Sequence, residues 1–304
     1  MPPLAAPAPL RVGLIGLDTS HVVEFTRLLN DAAHPEHVPG AHVVAAVHSG
    51  SPDMPEKSWA RIPGFAHTLA TAFGVQLCGA IADLLPLVDA VMIENVDGRK
   101  HLEVARAVLP AGKPVFIDKP LAASLADGAE IIRLARDNQV PCFSASTLRY
   151  APEVTALATP DVRTVLGITP CDYEPHHPDL FWYGVHGVET LYAVLGAGCE
   201  SVSRTHTADT DVVTGRWSDG RIGLFCGHRG TSAGHGCQVL RPSGWSGGPV
   251  VPRYAPLVRE IVRFFQSGVS PVGADEMLEV LAFMSAAEES QRRGGAAVAI
   301  APLT

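Results

Sequence analysis

The sequence predicts an α/β protein with an N-terminal Rossmann-like, doubly wound parallel sheet and a C-terminal α+β domain with an open, mostly antiparallel sheet. Apolar, β-branched segments alternate with helix-like segments up to about residue 148, which is typical of βαβ units. The pattern then changes to short apolar segments separated by turn residues, which indicates hairpins. The length of 304 residues is sufficient for two domains.

The change of pattern near Arg149 sets the predicted domain boundaries. We expect a disordered tail over residues 1–9, a Rossmann-like dinucleotide-binding domain over 10–148, and a substrate and oligomerisation domain over 149–304. The tail, MPPLAAPAP, has no positive start, and its prolines interrupt the apolar stretch. It is therefore not interpreted as a targeting signal.

In the first domain each predicted strand is a short apolar segment suited to burial on both faces of a sheet. The predicted strands are residues 10–17, 42–47, 90–93, 114–117 and 140–146. The first predicted helix begins after Asp18-Thr19-Ser20. The other three cover residues 81–88, 101–109 and 125–138. Gly112 is expected to end the third helix, and Ser124 is placed to cap the fourth.

In the second domain the turn residues Ser218-Asp219-Gly220 separate two strand-like segments and predict a hairpin. The segment 242–252 is rich in Gly, Ser and Pro and is predicted to be a loop. The other predicted elements are a strand over 162–171 and helices over 180–195, 254–267 and 275–293.

Composition excludes several classes of protein. The chain has 31 acidic and 23 basic residues, a net charge of −8, which argues against nucleic-acid and anionic-membrane partners. No apolar run approaches the ~20 residues that span a bilayer. The six cysteines show no paired spacing, which indicates reduced thiols and a cytoplasmic protein.

Four motifs in this order resemble the Gfo/Idh/MocA family of NAD(P)-dependent oxidoreductases. The motifs are VGLIG at 12–16, VDAVMI at 88–93 with His101, GKPVFIDKP at 112–120, and GVHGVE at 184–189. The third differs from the family signature by having Asp118 in place of glutamate. Together they span residues 10 to about 195, and the resemblance implies NAD or NADP as cofactor.

The resemblance implies an enzyme that moves hydride between NAD(P) and a hydroxyl of a sugar, cyclitol or similar polyol. One alternative is an NAD-dependent glycosidase or lyase that oxidises its substrate only transiently. A second is a non-catalytic, ligand-binding regulatory protein that keeps the fold.

The turn after the first strand is the predicted pyrophosphate site, at the N-terminus of a helix. In place of G-x-G-x-x-G the sequence reads Gly16-Leu17-Asp18-Thr19-Ser20-His21, so only the first glycine remains. Asp18 could turn away to cap the helix while Thr19, Ser20 and His21 donate to phosphate. Alternatively, the cofactor site has been reshaped or lost.

Other strand ends supply further predicted cofactor contacts, because ligands bind at the carboxyl ends of parallel strands. His48 and Ser49 follow the second strand, Asn95 follows the AVMI strand, and Asp118 follows PVFI. No acidic residue directly follows the second strand to bond a ribose 2′-hydroxyl. The choice between NAD and NADP therefore stays open.

Lys119 is the first predicted catalytic residue. It follows the strand PVFI, and Pro120 biases it away from helix. The resemblance places this lysine where nicotinamide and substrate meet, so it is predicted to contact both. A lysine there can stabilise a developing alkoxide or exchange a proton.

His186 is the second predicted catalytic residue, and it is also expected to contact the substrate. The family often has an orienting aspartate four residues earlier, where this chain has Trp182. Tyr183, Asp172, Asp179 and Glu189 are the candidate substitutes for that aspartate.

The segment 171–179 concentrates carboxylates and imidazoles before the His186 helix. Asp172 and His176, with Tyr183 and Arg149, are predicted substrate contacts, and Arg149 could instead be structural. The segment could also bind zinc with His186 as third ligand, but no metal site is assigned. The open sheet favours self-pairing, so a homodimer or homotetramer is expected.

Overall fold

The computed structural model describes residues 8–300, so residues 1–7 of the predicted tail lie outside the described residues. The chain forms two compact units. The first contains residues 8–118, 133–142 and 258–271, and the second contains 119–132, 143–257 and 272–300. Each unit is thus built from several segments of the chain, whereas the sequence suggested a single division at 148/149.

The first sheet has six strands. They are β1 (Leu10–Ile15), β2 (Ala41–Val47), β3 (Gln76–Cys78), β4 (Ala90–Ile93), β5 (Val115–Asp118) and β6 (Cys142–Ala145). Their order is β3-β2-β1-β4-β5-β6, and β1 pairs in parallel with both β2 and β4. The strand order therefore reverses between β1 and β4, the position where doubly wound sheets bind ligands. The predicted Rossmann-like sheet is confirmed.

Five helices connect these strands or follow them. They are α1 (His21–Asn30), α2 (Ile62–Phe73), α3 (Ile81–Leu84), α4 (His101–Val108) and α5 (Leu125–Asp137). Gly112 adopts φ +72° after a 3₁₀ turn that follows α4, and Ser124 Oγ accepts from the N–H of Asp127 at 3.1 Å. Both predicted helix-end residues are confirmed.

Two helical segments differ from the sequence prediction. The segment 81–88 forms only the single turn of α3 followed by a 3₁₀ turn, because Pro86 has no N–H to continue an α-helix. Helix α2 was not predicted. Its residues Ile62, Phe65, Leu69 and Phe73 are apolar at helical spacing, so the sequence carried a signal for this helix that the prediction did not include.

The second sheet has seven strands and is mostly antiparallel, as predicted. They are β7 (Thr164–Pro170), β8 (Cys199–His206), β9 (Thr210–Trp217), β10 (Ile222–His228), β11 (His235–Arg241), β12 (Gly244–Val250) and β13 (Val298–Ala299). Their order is β12-β11-β7-β10-β9-β8-β13, with β7 and β10 paired in parallel. The predicted hairpin around Asp219 joins β9 to β10.

The prediction of a loop over 242–252 is wrong, because residues 244–250 form β12 and pair with β11. Strand β12 lies at the edge of the sheet. An edge strand needs hydrogen bonds on one side only, so it tolerates Pro249 and the glycines that made the segment look like a loop.

The remaining helices are α6 (Pro152–Thr155), α7 (Asp179–Trp182), α8 (Val185–Leu195), α9 (Tyr254–Ser267) and α10 (Ala274–Arg292). The helix predicted over 180–195 is thus divided after Trp182. Helix α8 packs closely on the second sheet, since a Cβ at Gly187 would lie 2.3 Å from the Phe225 ring. This packing fixes the position of His186, the neighbouring residue.

No helix within residues 8–300 is both long and apolar enough to cross a bilayer. The cytoplasmic location stays a prediction from the sequence.

Candidate functional site

The turn after β1 brings the ends of β1 and β4 together. Gly16 adopts φ +91°, and a Cβ there would lie 2.5 Å from the backbone N of Asn95. Only glycine fits this conformation and this contact. The chain then enters α1, for which Ser20 is the N-cap residue.

Asp18 is fully buried in this turn. Its carboxylate accepts hydrogen bonds from Ser58 Oγ at 2.6 Å and from the N–H of Val96 at 2.9 Å. The Asp18 side chain therefore points into the protein, towards Ser58 and Val96. It does not point to the start of α1, so the hypothesis that Asp18 caps this helix is wrong. Burial raises the pKa of Asp18 to about 6, although the hydrogen bonds with Ser58 and Val96 oppose the increase.

The residues of this turn fit a dinucleotide despite the missing glycines. Gly16 lets the turn pack tightly against Asn95 at the end of β4, and the N-terminus of α1 follows within five residues. Because Asp18 is buried and directed to Val96, its carboxylate does not occupy the turn surface. Thr19 and Ser20 would hold the pyrophosphate together with the backbone N–H groups of the turn.

Asn95, at the end of β4, contacts Ser49 at the end of β2. Asn95 is fully buried, and its side-chain amide donates to Ser49 Oγ at 3.2 Å. Nε2 of His101 lies 2.8 Å from the carbonyl oxygen of Asn95, so this histidine braces the end of β4. His48 is exposed. Leu17 is fully buried and packs in the core.

His21 and Asp118 form a contact that the sequence did not suggest. Nδ1 of His21 lies 2.7 Å from Oδ2 of Asp118, and the imidazole stacks on Phe25 with ring centroids 5.1 Å apart. His21, Asp118 and the buried Glu94 each present one potential metal-ligating atom within 4.8 Å of the others. The three lie far apart in sequence, so no spacing motif could reveal them.

Within residues 8–300, His21, Glu94 and Asp118 are the three potential metal ligands whose atoms lie this close together. The alternative in which His186 and the 171–179 segment bind zinc stays untested.

A concave surface of about 900 Å³ lies elsewhere on the first unit. Its lining includes Leu10, Ala41 and Phe265, which places it at the amino ends of β1 and β2. Ligands of parallel sheets bind at the carboxyl ends, so we do not assign this surface to the cofactor.

Lys119 follows β5 directly and is 9% exposed. The peptide bond between Lys119 and Pro120 is cis. The lysine thus occupies a buried position at a strand end, and its predicted contacts with cofactor and substrate stay predictions.

His186 is the second residue of α8 and is also buried. Its Nδ1 lies 2.7 Å from Ser146 Oγ. The ring meets Tyr183 and His235 edge-on, with centroids 5.7 Å and 6.3 Å away. The Ser146 hydroxyl, which follows β6, therefore contacts this imidazole, and sequence reasoning did not select that residue.

Glu189, a candidate partner for His186, binds Arg149 instead. Arg149 is buried, with Nε on the carboxylate of Glu189 and Nη1 2.6 Å from Oε1 of Glu276. Burial lowers the pKa of Arg149, but the two carboxylates outweigh it and hold the pKa above its usual value. These two ion pairs agree with the alternative in which Arg149 has a structural role.

The 171–179 segment is anchored by Tyr173. Its hydroxyl donates to Asp211 at 2.6 Å and accepts from Arg204 at 2.8 Å. Asp172 is exposed, and so is His176, whose Nδ1 lies 2.9 Å from Glu174. The segment therefore has a fixed base and two exposed polar side chains among the predicted substrate contacts.

His228 and His235 are further residues near His186 that the sequence did not single out. Nε2 of His228 lies 2.9 Å from the carbonyl oxygen of Gly234. Burial and the neighbouring His228 lower the pKa of His235. This shift favours the uncharged form of the ring beside His186. Both histidines lie in strands. No motif around them in the sequence marks them as candidate site residues.

The glycine turn at the reversal of a doubly wound parallel sheet defines a dinucleotide-binding class of protein. Residues 10–146 match the family model described as the oxidoreductase family with an NAD-binding Rossmann fold, GFO_IDH_MocA. These residues belong to that family, as the motifs predicted, and the family's cofactor is NAD.

Solved structures and one curated relative extend the comparison. Myo-inositol 2-dehydrogenase of Lactobacillus plantarum superposes with a TM-score of 0.77 at 18% identity, covering 97% of this chain and 100% of that one. Myo-inositol dehydrogenase of Lactobacillus casei, solved with NAD(H) and myo-inositol, gives 0.75 at 18% identity and covers 97% of both chains. At these identities the similarity shows the fold.

The curated relative is Dehydrogenase aclE of Aspergillus oryzae, which is 29% identical over 147 residues. The match covers 48% of this chain and 38% of that protein. The chain therefore spans well under half of the length of that relative.

Proposed function

We propose that the protein is an NAD(P)-dependent dehydrogenase that acts on a CH–OH group of a sugar, cyclitol or similar polyol. The observation that carries the proposal is the NAD-binding family domain whose Gly16 turn lies at the reversal of the sheet. When bound, the dinucleotide supplies the acceptor or donor of hydride.

The residues assigned to the chemistry are Lys119 and His186. As the C–H hydride leaves and the carbonyl forms, the hydroxyl proton moves to the imidazole of His186. The Lys119 ammonium stabilises the negative charge that develops on the same oxygen. In the reverse direction the proton returns from His186 to the alkoxide.

The surroundings of His186 support an uncharged polyol as substrate. The neighbouring His235 ring has a lowered pKa, which favours its uncharged form. Tyr183 is 38% exposed beside His186. The His235 imidazole and the Tyr183 phenol offer hydrogen bonds to hydroxyls and add no charge of their own. The myo-inositol named for the Lactobacillus casei structure belongs to this class.

The test is a panel of sugars, cyclitols and the corresponding sugar acids, assayed for reduction of NAD and of NADP. We expect turnover with at least one neutral polyol and weaker turnover with its acid. Absence of turnover across the panel, together with absence of dinucleotide binding in calorimetry, would favour the regulatory alternative. Tightly co-purified NAD(H) without turnover of added cofactor would favour the transient-redox alternative.

We also propose that two copies pair through the open face of the second sheet. Apolar residues of β7, β9, β10 and the edge strand β12 remain partly or largely exposed on the face opposite α8. They are Leu166, Ile168, Val212, Ile222, Leu224 and Trp245. An apolar sheet face of this kind is covered in a stable protein, and a second copy presents the same self-complementary surface.

A further inference from the structure

We propose that Asp53 makes the dinucleotide site selective for NAD over NADP, because it engages the guanidinium of Arg99 that would otherwise bind a ribose 2′-phosphate. This selectivity rests on the dinucleotide binding of the proposed function and not on the hydride step. Both side chains belong to the first unit, in the segments that follow β2 and β4.

The segment after β2 packs against the turn that forms the predicted pyrophosphate site. A Cβ added at Gly50 would lie 3.3 Å from Oδ2 of Asp18, the buried aspartate of that turn. Ser49 Oγ accepts from the side-chain amide of Asn95 at 3.2 Å. In a doubly wound sheet the residues after the second strand recognise the adenosine ribose, so residues 49–53 are placed to face its 2′ position.

The segment after β4 is tied to the segment after β2. Ser51 is fully buried, and its hydroxyl donates to the buried carboxylate of Asp97. The backbone N–H of Arg99 donates to the same carboxylate at 2.9 Å, so Asp97 also caps the 3₁₀ turn Gly98–Lys100. These bonds bring Arg99 beside the segment after β2, although β1 separates β2 from β4 in the sheet.

The guanidinium of Arg99 is shared between two carboxylates. Towards Asp97, Nη2 donates at 2.7 Å and Nε at 3.0 Å. Towards Asp53, Nη1 donates at 3.0 Å and Nη2 at 3.2 Å. The Asp97 side chain is fully buried, whereas the Asp53 side chain is 51% exposed. The bond to Asp97 therefore belongs to the fold, and the bond to Asp53 lies where a ligand can reach it.

The charges of this cluster distinguish the two nucleotides. One guanidinium and two carboxylates leave one excess negative charge at Arg99, Asp97 and Asp53. A ribose 2′-hydroxyl is uncharged and can donate to the Asp53 carboxylate. A 2′-phosphate would have to displace Asp53 from Arg99 and then lie beside a like charge. Asp53 thus favours the hydroxyl and opposes the phosphate, which is how specificity is built by repulsion.

Calorimetric titration with NAD and with NADP is the test. The unaltered protein should bind NAD roughly tenfold or more tightly than NADP. Asp53→Asn keeps the size of the side chain and removes its charge. It should tighten NADP binding by roughly tenfold while the Kd of NAD changes less than about threefold. Equal or tighter binding of NADP by the unaltered protein would overturn the proposal, and so would an unchanged ratio in Asp53→Asn.

Two further variants sharpen the assignment. Asp89→Asn is the matched control, because Asp89 also pairs with an exposed arginine, Arg11 at 2.7 Å, but precedes β4 at the amino end of the sheet. It should leave the ratio of the two Kd values unchanged. Adding Arg99→Met to Asp53→Asn should abolish the gain in NADP affinity. Persistence of the gain would mean that another cation binds the phosphate. If this double variant fails to fold, Asp53→Asn alone still decides the proposal.

Binding and turnover together separate this selectivity from the proposed function. A preference for NAD that Asp53→Asn removes, in a protein that oxidises no polyol, would support the selectivity and reject the dehydrogenase. Turnover with NAD and NADP at equal Kd, in both the unaltered protein and Asp53→Asn, would reject the selectivity alone. Absence of binding of either nucleotide would reject both.

Discussion

The carboxylate of Asp18 accepts a hydrogen bond of 2.9 Å from the backbone N–H of Val96 and thereby joins the turn after β1 to the segment after β4. A second bond, from Ser58 Oγ at 2.6 Å, ties the same carboxylate to the segment before α2. The aspartate that replaces the second glycine of the dinucleotide motif is thus a buried brace. This role explains how the turn keeps its conformation with one glycine.

Asp18→Asn should change how stability depends on pH. Burial raises the folded-state pKa of Asp18 from 3.8 to about 6, so its contribution to stability is fully present below pH ~4 and is lost as pH rises through 6. Relative to the asparagine variant, the unaltered protein should gain up to about 3 kcal/mol of unfolding free energy between pH 7 and 4. Urea unfolding at several pH values measures this difference.

Asp219→Asn is the control with the opposite sign. The backbone N–H of Arg221, followed by its guanidinium, lowers the pKa of Asp219, so this carboxylate stabilises the fold above its unfolded pKa and loses that effect as pH falls. Parallel pH profiles for the unaltered protein and Asp18→Asn would contradict the assignment of a raised pKa to Asp18.

Lys119→Met should lower turnover by roughly a hundredfold or more, because it keeps the length of the side chain and removes the positive charge near the developing alkoxide. Dinucleotide affinity, measured by calorimetry, should change much less. The matched control is Lys113→Met, since Nζ of Lys113 donates to the carbonyl of Val88 at 2.7 Å. If Lys119→Met turned substrate over at the rate of the unaltered protein, the assignment of this lysine would be wrong.

Arg149→Met should destabilise the protein by ~3–5 kcal/mol, because it leaves the carboxylates of Glu189 and Glu276 without their buried partner. Arg253→Met is the control: its ion pair with Glu153 is about one-third exposed on both sides, so its loss should cost ~1 kcal/mol or less. Thermal unfolding compares the two. Equal, small effects together with a raised KM would instead assign Arg149 to the substrate.

Ile222→Lys should convert a dimer to a monomer, because Ile222 is 39% exposed on the open face of the second sheet and a buried ammonium there would be unpaired. Light scattering after size exclusion gives the mass directly. Val269→Lys, at a site 70% exposed outside that sheet, should leave the mass unchanged. A monomeric unaltered protein, or an Ile222→Lys dimer, would refute pairing through this face.

Local patterns predicted β1, β2, β4, β5 and β6 of the first sheet, because parallel strands are buried on both faces and therefore read as continuous apolar segments. The short edge strand β3 (Gln76–Cys78) was not predicted, since its first two residues are exposed. The edge strand β12 and helix α2 were not predicted from the sequence. Gly and Pro are tolerated in an edge strand that bonds on one side only, so β12 resembled a loop. Helix α2 does have apolar residues at helical spacing (Ile62, Phe65, Leu69 and Phe73), so its sequence carried a signal that the prediction did not include.

The sequence by itself determined which residue types stand at the strand ends: Gly16 and Asp18 after β1, Lys119 after β5, and Ser146 after β6. Only the tertiary structure decided their partners. Asp18 and Val96 are 78 positions apart, and Ser146 and His186 are 40 apart. Hydrogen bonds form over about 3 Å, and packing of strands and helices sets which distant groups come that close. A carboxylate that reads as an obstacle to phosphate can therefore become a brace, and a serine without any motif can contact the imidazole.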